Sequence, residues 1–397
     1  MRLFALMLCG FVCLGVMTGC WNRKELNDLS IVVGFGIDKA KNQYKVSAQV
    51  VNPGAYDMKT GSANLAPVTL YSSYGPTVSE AIRRMTTMTP RFNYFAHLRI
   101  LIFSEELSRE GIGKTLDYMS RNREFRNDFN IIVARGVKAE QLLNFMTPLE
   151  RNPSNSMFKM LEVSTKVWSP SVSTKLDQLV TSLSVEGSSA VLTGIRLKGD
   201  IEEGAKSSNV SAIKPSAHYE YGGLAIFRRD KLIGWMNEKE SRGYSTITDQ
   251  VDESIVTIDC PSGGKLSVSG IRVQSEIKAS LAQRKPEFDI TIKGEGDIED
   301  MECKLGLQKE SQLKELQTRL EDEIAGFCQA ALSKARRVKS DIFGFGNALH
   351  RSNPRYWNKV KKDWQNDWTE SQVHIHVHYV IRRLGTISSG VMDEMKE

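Results

Sequence analysis

Residues 265–281, KLSVSGIRVQSEIKASL, and 287–298, EFDITIKGEGDI, decide the fold of the last third of this chain. Both alternate apolar and polar side chains over a dozen or more positions, the pattern of a strand with one face packed and one face wet. Arg284-Lys285-Pro286 lies between them as a turn. Downstream the period changes. Leu313, Leu316, Leu320, Ile324, Phe327, Ala331 and Val338 recur at three, four and seven, which places one apolar stripe along a long helix. Lys334, Arg336, Arg337 and Lys339 crowd its C-terminal end, where the helix dipole favours cations. Two glycines within Asp341–Gly346 stop the helix. Tyr356 to Trp368 reads as a shorter helix and Gln372 to Leu384 as a final strand. Strands, long helix and strand make an α+β domain over 255–397.

Working back toward the N-terminus, the pattern is different. Ser30 to Ile37 and Tyr44 to Val51 read as a hairpin rich in β-formers. Gly34 and Gly36 lack the third glycine and the following helix of a phosphate-binding loop, and belong to strand geometry. Asn52 to Pro67 is a loop. Thr77 with Glu80 forms the capping-box pattern before Val78, Ala81, Ile82 and Met85, and Ser104 caps a second helix. Strands at Leu98 to Phe103 and Phe129 to Ala134 alternate with these helices and with another at Ala139 to Phe145. Leu176 to Leu183 is helical, Ala190 to Leu197 a strand, and Tyr221 to Phe227 with Lys231 to Trp235 a hairpin. The expected organisation is a first domain begun by 20–60 and completed by 185–250, with 65–165 inserted as a separate α/β domain.

The N-terminus reads as an export signal over residues 1–19. Arg2 supplies positive charge, and Leu3 to Val16 is an uncharged apolar run of 14 residues, short for a bilayer span of ~20. Thr18 and Gly19 precede Cys20, the arrangement that leads to lipid on the cysteine sulfur rather than release. Met17 departs from the usual leucine of such a cleavage site. Diacylglycerol and an N-acyl chain on Cys20 together hold a protein stably at a bilayer. Beyond Cys20 no apolar run approaches span length. The formal charge of +6 is spread along the chain and is not the footprint of a nucleic-acid binder. Cys260, Cys303 and Cys328 are odd in number and widely spaced, which favours three unpaired thiols over a disulfide framework, although export permits one bridge.

Catalytic patterns are sparse. His374, His376 and His378 share one face of the final strand about 7 Å apart, a spacing at which two imidazoles can hold zinc with a third ligand from elsewhere. The commoner arrangement is a solvated strand face, and no further ligand is named by the sequence. Ser156 and Lys159 have S-x-x-K spacing without the companion motifs of acyl-enzymes. His97 follows an aromatic stretch and suits a structural hydrogen bond. Trp357, Trp364 and Trp368 lie on one helical stripe, which packs on the domain's own sheet or docks at a membrane or partner groove. Arg83, Arg84, Arg121, Arg123 and Arg126 form either a basic face or a set of surface ion pairs.

Cys20-Trp21-Asn22-Arg23-Lys24-Glu25-Leu26, followed by Val33-Gly34-Phe35-Gly36-Ile37-Asp38, resembles the mature start of the Ger(x)C spore germination lipoproteins. The Thr77–Arg84 helix start, Phe95-Ala96-His97, Arg121–Arg126, Gly234-Trp235 with Glu240-Ser241-Arg242-Gly243, Asp341–Gly346, and Trp364 through Ile381 to Gly385 are similar in the same order. The resemblance implies three mixed α/β domains in an elongated arrangement. It implies the C subunit of a nutrient germinant receptor, on the outer face of the spore inner membrane. A multi-spanning A subunit and a transporter-like, nutrient-binding B subunit would be its partners. It brings no enzymatic activity, no cofactor beyond the lipid on Cys20, no metal, no nucleic acid and no small-molecule substrate. Two other classes remain in play. A solute-binding lipoprotein requires two similar lobes around a cleft, and an envelope hydrolase requires a catalytic constellation.

Overall fold

A computed structural model describes residues 25–56, 65–261, 263–303 and 310–383, with residues 2 and 4 besides. Its first sheet is built outward from β1 (Leu29–Ala40), which is buried without interruption from Val32 to Asp38. A strand buried on both faces needs a neighbour on each edge and a layer on each side. β2 (Gln43–Val51) pairs antiparallel on one edge and β5 (Ile100–Ser104) parallel on the other. β3 (Val68–Gly75) extends the sheet past β2, while β4 (Phe92–Tyr94) pairs with the start of β1. On the other side β6 (Asn130–Ala134) and β7 (Val191–Gly199) follow in parallel, then β8 (Ala217–Arg228) and β9 (Lys231–Trp235) antiparallel.

This order corrects one expectation. The segment 65–165 does not form a separate inserted domain: β5 and β6 lie between β1 and the later strands, which reach β1 only through them. Every residue of β5 and β6 is buried, and such strands belong at the centre of a sheet rather than in a small unit of their own.

Helices cover both faces. Val78–Met85, Glu105–Glu110, Gly113–Arg121 and Leu176–Ser184 close a core around Phe35, Phe103, Met119 and Phe129. Ala139–Leu143 and Pro153–Val167 close the other, around Ile100, Ile132, Leu142 and Leu161. Thr77 and Ser104 cap their helices as expected, accepting from the backbone N–H of Glu80 at 3.2 Å and of Leu107 at 3.3 Å. The Glu80 carboxylate turns instead to Arg84, so the capping box is half made. Gly34 has its reason in close packing: a Cβ there would lie 1.9 Å from Ser154 Oγ, under the first turn of the helix Pro153–Val167.

The second sheet runs β10 (Ser254–Asp259), β11 (Lys265–Ala282), β12 (Lys285–Met301), β13 (Gln372–Arg383), with β12 and β13 parallel. The β11–β12 turn falls at Gln283 and Arg284, both with positive φ (49° and 66°), one residue earlier than the proline suggested. The helix Glu310–Arg337 buries Leu316, Leu320, Ile324, Phe327 and Ala331 against this sheet. Cys260 and Cys303 form a disulfide between the end of β10 and the end of β12, which overturns the reading of three unpaired thiols. Cys328 is a buried thiol, and burial pushes its pKa up to about 12. The two sheets share a core, in which Leu224, Ile226 and Met236 meet Phe288, Phe345 and Trp364.

Candidate functional site

The segments singled out in the sequence turn out to be tie points between elements. Asp38, at the end of β1, accepts from the backbone N–H of Ala139 (2.8 Å) and Glu140 (3.0 Å) and so caps the helix they begin. Trp235 donates its indole N–H to Glu105 at 3.0 Å, while Arg135 lies 4.7 Å from its ring centre. Asp341 is fully buried and accepts from the N–H groups of Phe343, Gly344, Phe345 and Gly346 and from the Trp364 indole. Burial pushes its carboxyl above the usual range, against the pull of those donors. Trp357 and Trp368 are buried with Trp364, so the tryptophan stripe is core and presents nothing to a membrane. The helix expected over 356–368 is broken into Pro354–Val360, Trp364–Asp367 and a final 3₁₀ turn.

The three histidines stand on the exposed face of β13, each beside a different neighbour on β12. His374 Nε2 lies 2.7 Å from Glu287 and His376 Nε2 3.4 Å from Asp289, and the two imidazoles stack at 6.5 Å. The parallel register sets His378 beside Lys293, a cation where a ligand set would need a donor. Among the described residues no group of three or more His, Cys, Asp or Glu side chains is arranged to hold a metal ion.

Ser156 and Lys159 do not form a nucleophile pair: Lys159 binds Glu150 at 2.5 Å and Ser156 Oγ faces Met160 Sδ at 3.9 Å. His97 is exposed and rests edge-on against Tyr94. Arg84, Arg121 and Arg126 pair with Glu80, Asp117 and Asp128, whereas Arg83 and Arg123 make no ion pair among the described residues. Cys20 lies outside the described residues. Among those described, no helix is long and apolar enough to cross a membrane.

Sequence reasoning missed an apolar groove. A groove of about 790 Å³ runs between the helix Pro153–Val167, the turn at Leu149 and the edge of β8. Met160, Val163 and Trp168 line one wall; Tyr219 and Tyr221 line the other, their hydroxyls donating to Leu142 O (2.6 Å) and Met157 O (2.7 Å). Burial raises both phenol pKa values, so neither serves as an acid or base near neutrality. The helix opens on Pro153, which reads as a break, and Ser, Thr, Lys and Glu are mixed among its apolar residues, so no clean helical signal stands out in the sequence.

Comparison with known proteins covers almost the whole chain. Residues 22–197 match the family model described as "Spore germination protein N-terminal domain", and residues 222–385 match "Spore germination B3/ GerAC like, C-terminal". The chain is 27% identical over 390 residues to spore germination protein KC of Bacillus subtilis, covering 96% of each. It is 24% identical over 386 residues to spore germination protein B3 of the same organism, covering 95% of this chain and 97% of that one. The crystal structure of the GerBC protein superposes with a TM-score of 0.56 at 19% identity, over 91% of this chain and all of the other, which establishes a common fold.

Proposed function

The chain belongs to the GerAC-like spore germination family, and we propose that it is the C subunit of a nutrient germinant receptor, lipid-anchored at Cys20 on the outer face of the spore inner membrane and acting there with A and B membrane subunits. The observation that carries this reading is the pair of family matches, in order, from residue 22 to residue 385. The fold fits a part that assembles rather than reacts. The residues that stand out in its sequence tie strands to helices, and the carboxylate most withdrawn from water, Asp341, is spent on five N–H donors of its own chain. The two sheets differ in strand number and order, unlike the matched lobes of a solute receptor. Anchoring at Cys20 would raise the effective concentration of the membrane partners without adding contacts.

The experiment is affinity recovery of the tagged chain from detergent-solubilised spore inner membrane, read by mass spectrometry. Recovery of A- and B-type subunits supports the assignment. Recovery of the chain alone, under conditions that preserve other membrane complexes, overturns it. Cys20→Ala is expected to leave a folded body that is lost from the membrane fraction and to impair germination. Normal germination and normal membrane recovery of that variant would remove the anchor from the account.

A further inference from the structure

β1, β5 and β6 are parallel, so all three begin at the same end of the large sheet. The chain arriving from Cys20 enters β1 at Leu29, so at most ~32 Å of extended backbone separates that end from residue 20. The turns that feed β5 and β6 lie at this end, and β4 pairs there, with Phe92 opposite Leu29. What these turns expose is unusual for a solvated rim. Phe92 is 59% and Met88 48% exposed, and the β2–β3 connection at the same end adds exposed Tyr56 and Leu65. Between the turns is a hollow of about 660 Å³ bounded by Arg83, Phe92, Asn93, Tyr118 and Asn122. The Asn93 amide, shielded from solvent in it, has no hydrogen-bond partner.

The two ends of the sheet differ in how their charges are paired. Arg83, Arg91 and Arg123 are exposed here without a carboxylate partner among the described residues, and Glu124 is the acid on the hollow's rim. The connecting segment carries Arg23 and Lys24 together with Glu25 and Asp28. At the opposite end Glu105, Glu110 and Glu140 pair with Arg109, Lys39 and Lys45, and Asp38 caps a helix. Aromatic and apolar side chains beside unpaired arginines suit the headgroup layer of an anionic bilayer.

We propose that the end of the large sheet carrying Met88, Phe92, Arg83, Arg91 and Arg123 lies on the anionic phospholipid surface, which fixes the body's orientation and turns the opposite end outward. The inference rests on the reading that Cys20 carries lipid. The experiment therefore reads the two separately. The full lipidated chain is reconstituted in vesicles of phosphatidylglycerol or of phosphatidylcholine; intact mass reports the lipid on Cys20, and backbone deuterium exchange reports the face. Slowed exchange over 83–93 and 118–126 on phosphatidylglycerol alone, lost in the Arg83→Glu/Arg91→Glu/Arg123→Glu variant while that variant still floats with the vesicles, supports the proposal. Equal exchange on both lipids overturns it. So does protection that appears only when spore membrane proteins are added, which assigns this end to a protein partner. Should the mass show no lipid, the anchor reading fails and the face is read by partition of the same chain onto phosphatidylglycerol vesicles. A loss of at least about a hundredfold in the triple variant supports the face, at ~1 kcal/mol per near-surface cation removed, and an unchanged partition overturns it.

Discussion

Trp364 donates its indole N–H to Asp341 Oδ2 at 2.8 Å, and the same oxygen accepts from the Gly346 backbone at 2.8 Å. The other oxygen takes Phe343, Gly344 and Phe345 at 2.9–3.2 Å. One carboxylate thus starts the helix Phe345–Ser352 and seats the central tryptophan of the shared core. Asp341→Ala leaves five donors without an acceptor in a site closed to water, and each orphan costs ~1–3 kcal/mol. A loss of at least about 3 kcal/mol is expected, seen as an earlier denaturation midpoint with a red-shifted tryptophan emission. A melt within error of the parent would mean that the donors find other partners.

Glu105 carries the clearest pH dependence. Burial raises its pKa, but hydrogen bonds from Trp235, Arg109 and the Gly136 N–H together outweigh that effect and hold it below the ordinary carboxylate value. Its folded pKa is depressed, so its stabilisation is fully present above the unfolded value and is lost as pH falls through the folded one. Glu105→Gln is expected to cost about 1 kcal/mol near neutrality. Parent and variant should converge in acid, below the ordinary carboxylate range. Denaturant midpoints measured across that range check the sign; a gap that widens in acid would reverse it.

Much of this was legible from the chain because the strands announce themselves: β11 and β12 alternate, and β5 and β6 are short unbroken apolar runs. What periodicity could not supply was the sheet order. Ile100–Phe103 reads the same whether it starts a domain or lies beside β1, and only the burial of both faces of β1 decides. Helix Glu238–Ile247 was invisible for another reason. Its buried positions are Ser241, Gly243, Tyr244, Ser245, Thr246 and Ile247, of which only Tyr244 and Ile247 are large and apolar, too few for a stripe. The tie points stood out in sequence as motifs, but what they tie became visible only with both partners in place, as with Glu105 and Trp235, 130 residues apart.

Gly243 shows why that small-residue helix exists. A Cβ there would fall 2.0 Å from Phe327 O and 3.0 Å from Ala331 Cβ, inside the backbone of the long helix. The two helices touch at a distance only glycine permits, and this contact links the large sheet to the small one. Gly243→Ala must push them apart, and overpacking of this kind costs ~1–3 kcal/mol. Helix propensity alone would instead favour alanine by about 1 kcal/mol. A more stable alanine variant would therefore contradict the packing, whereas a lower midpoint with faster proteolysis between the sheets supports it.

The disulfide offers a test that separates its two partners from the third thiol. Cys260 and Cys303 close a loop of 43 residues, so the oxidised chain gains roughly 4 kcal/mol from restriction of its unfolded state. The bond pins the end of the small sheet over Leu266, Leu316 and Leu320. Reductant should lower the parent's melting temperature and leave the Cys260→Ser/Cys303→Ser variant unmoved, at the lower value. Cys328 cannot replace either partner, because it is buried in the long helix and its thiol stays protonated near neutrality. In the native Cys260→Ser chain a thiol reagent should therefore modify Cys303 and spare Cys328, as mapped by peptide mass. Modification of Cys328 at a comparable rate would show that the long helix opens there, and a parent indifferent to reductant would remove the crosslink from the account of stability.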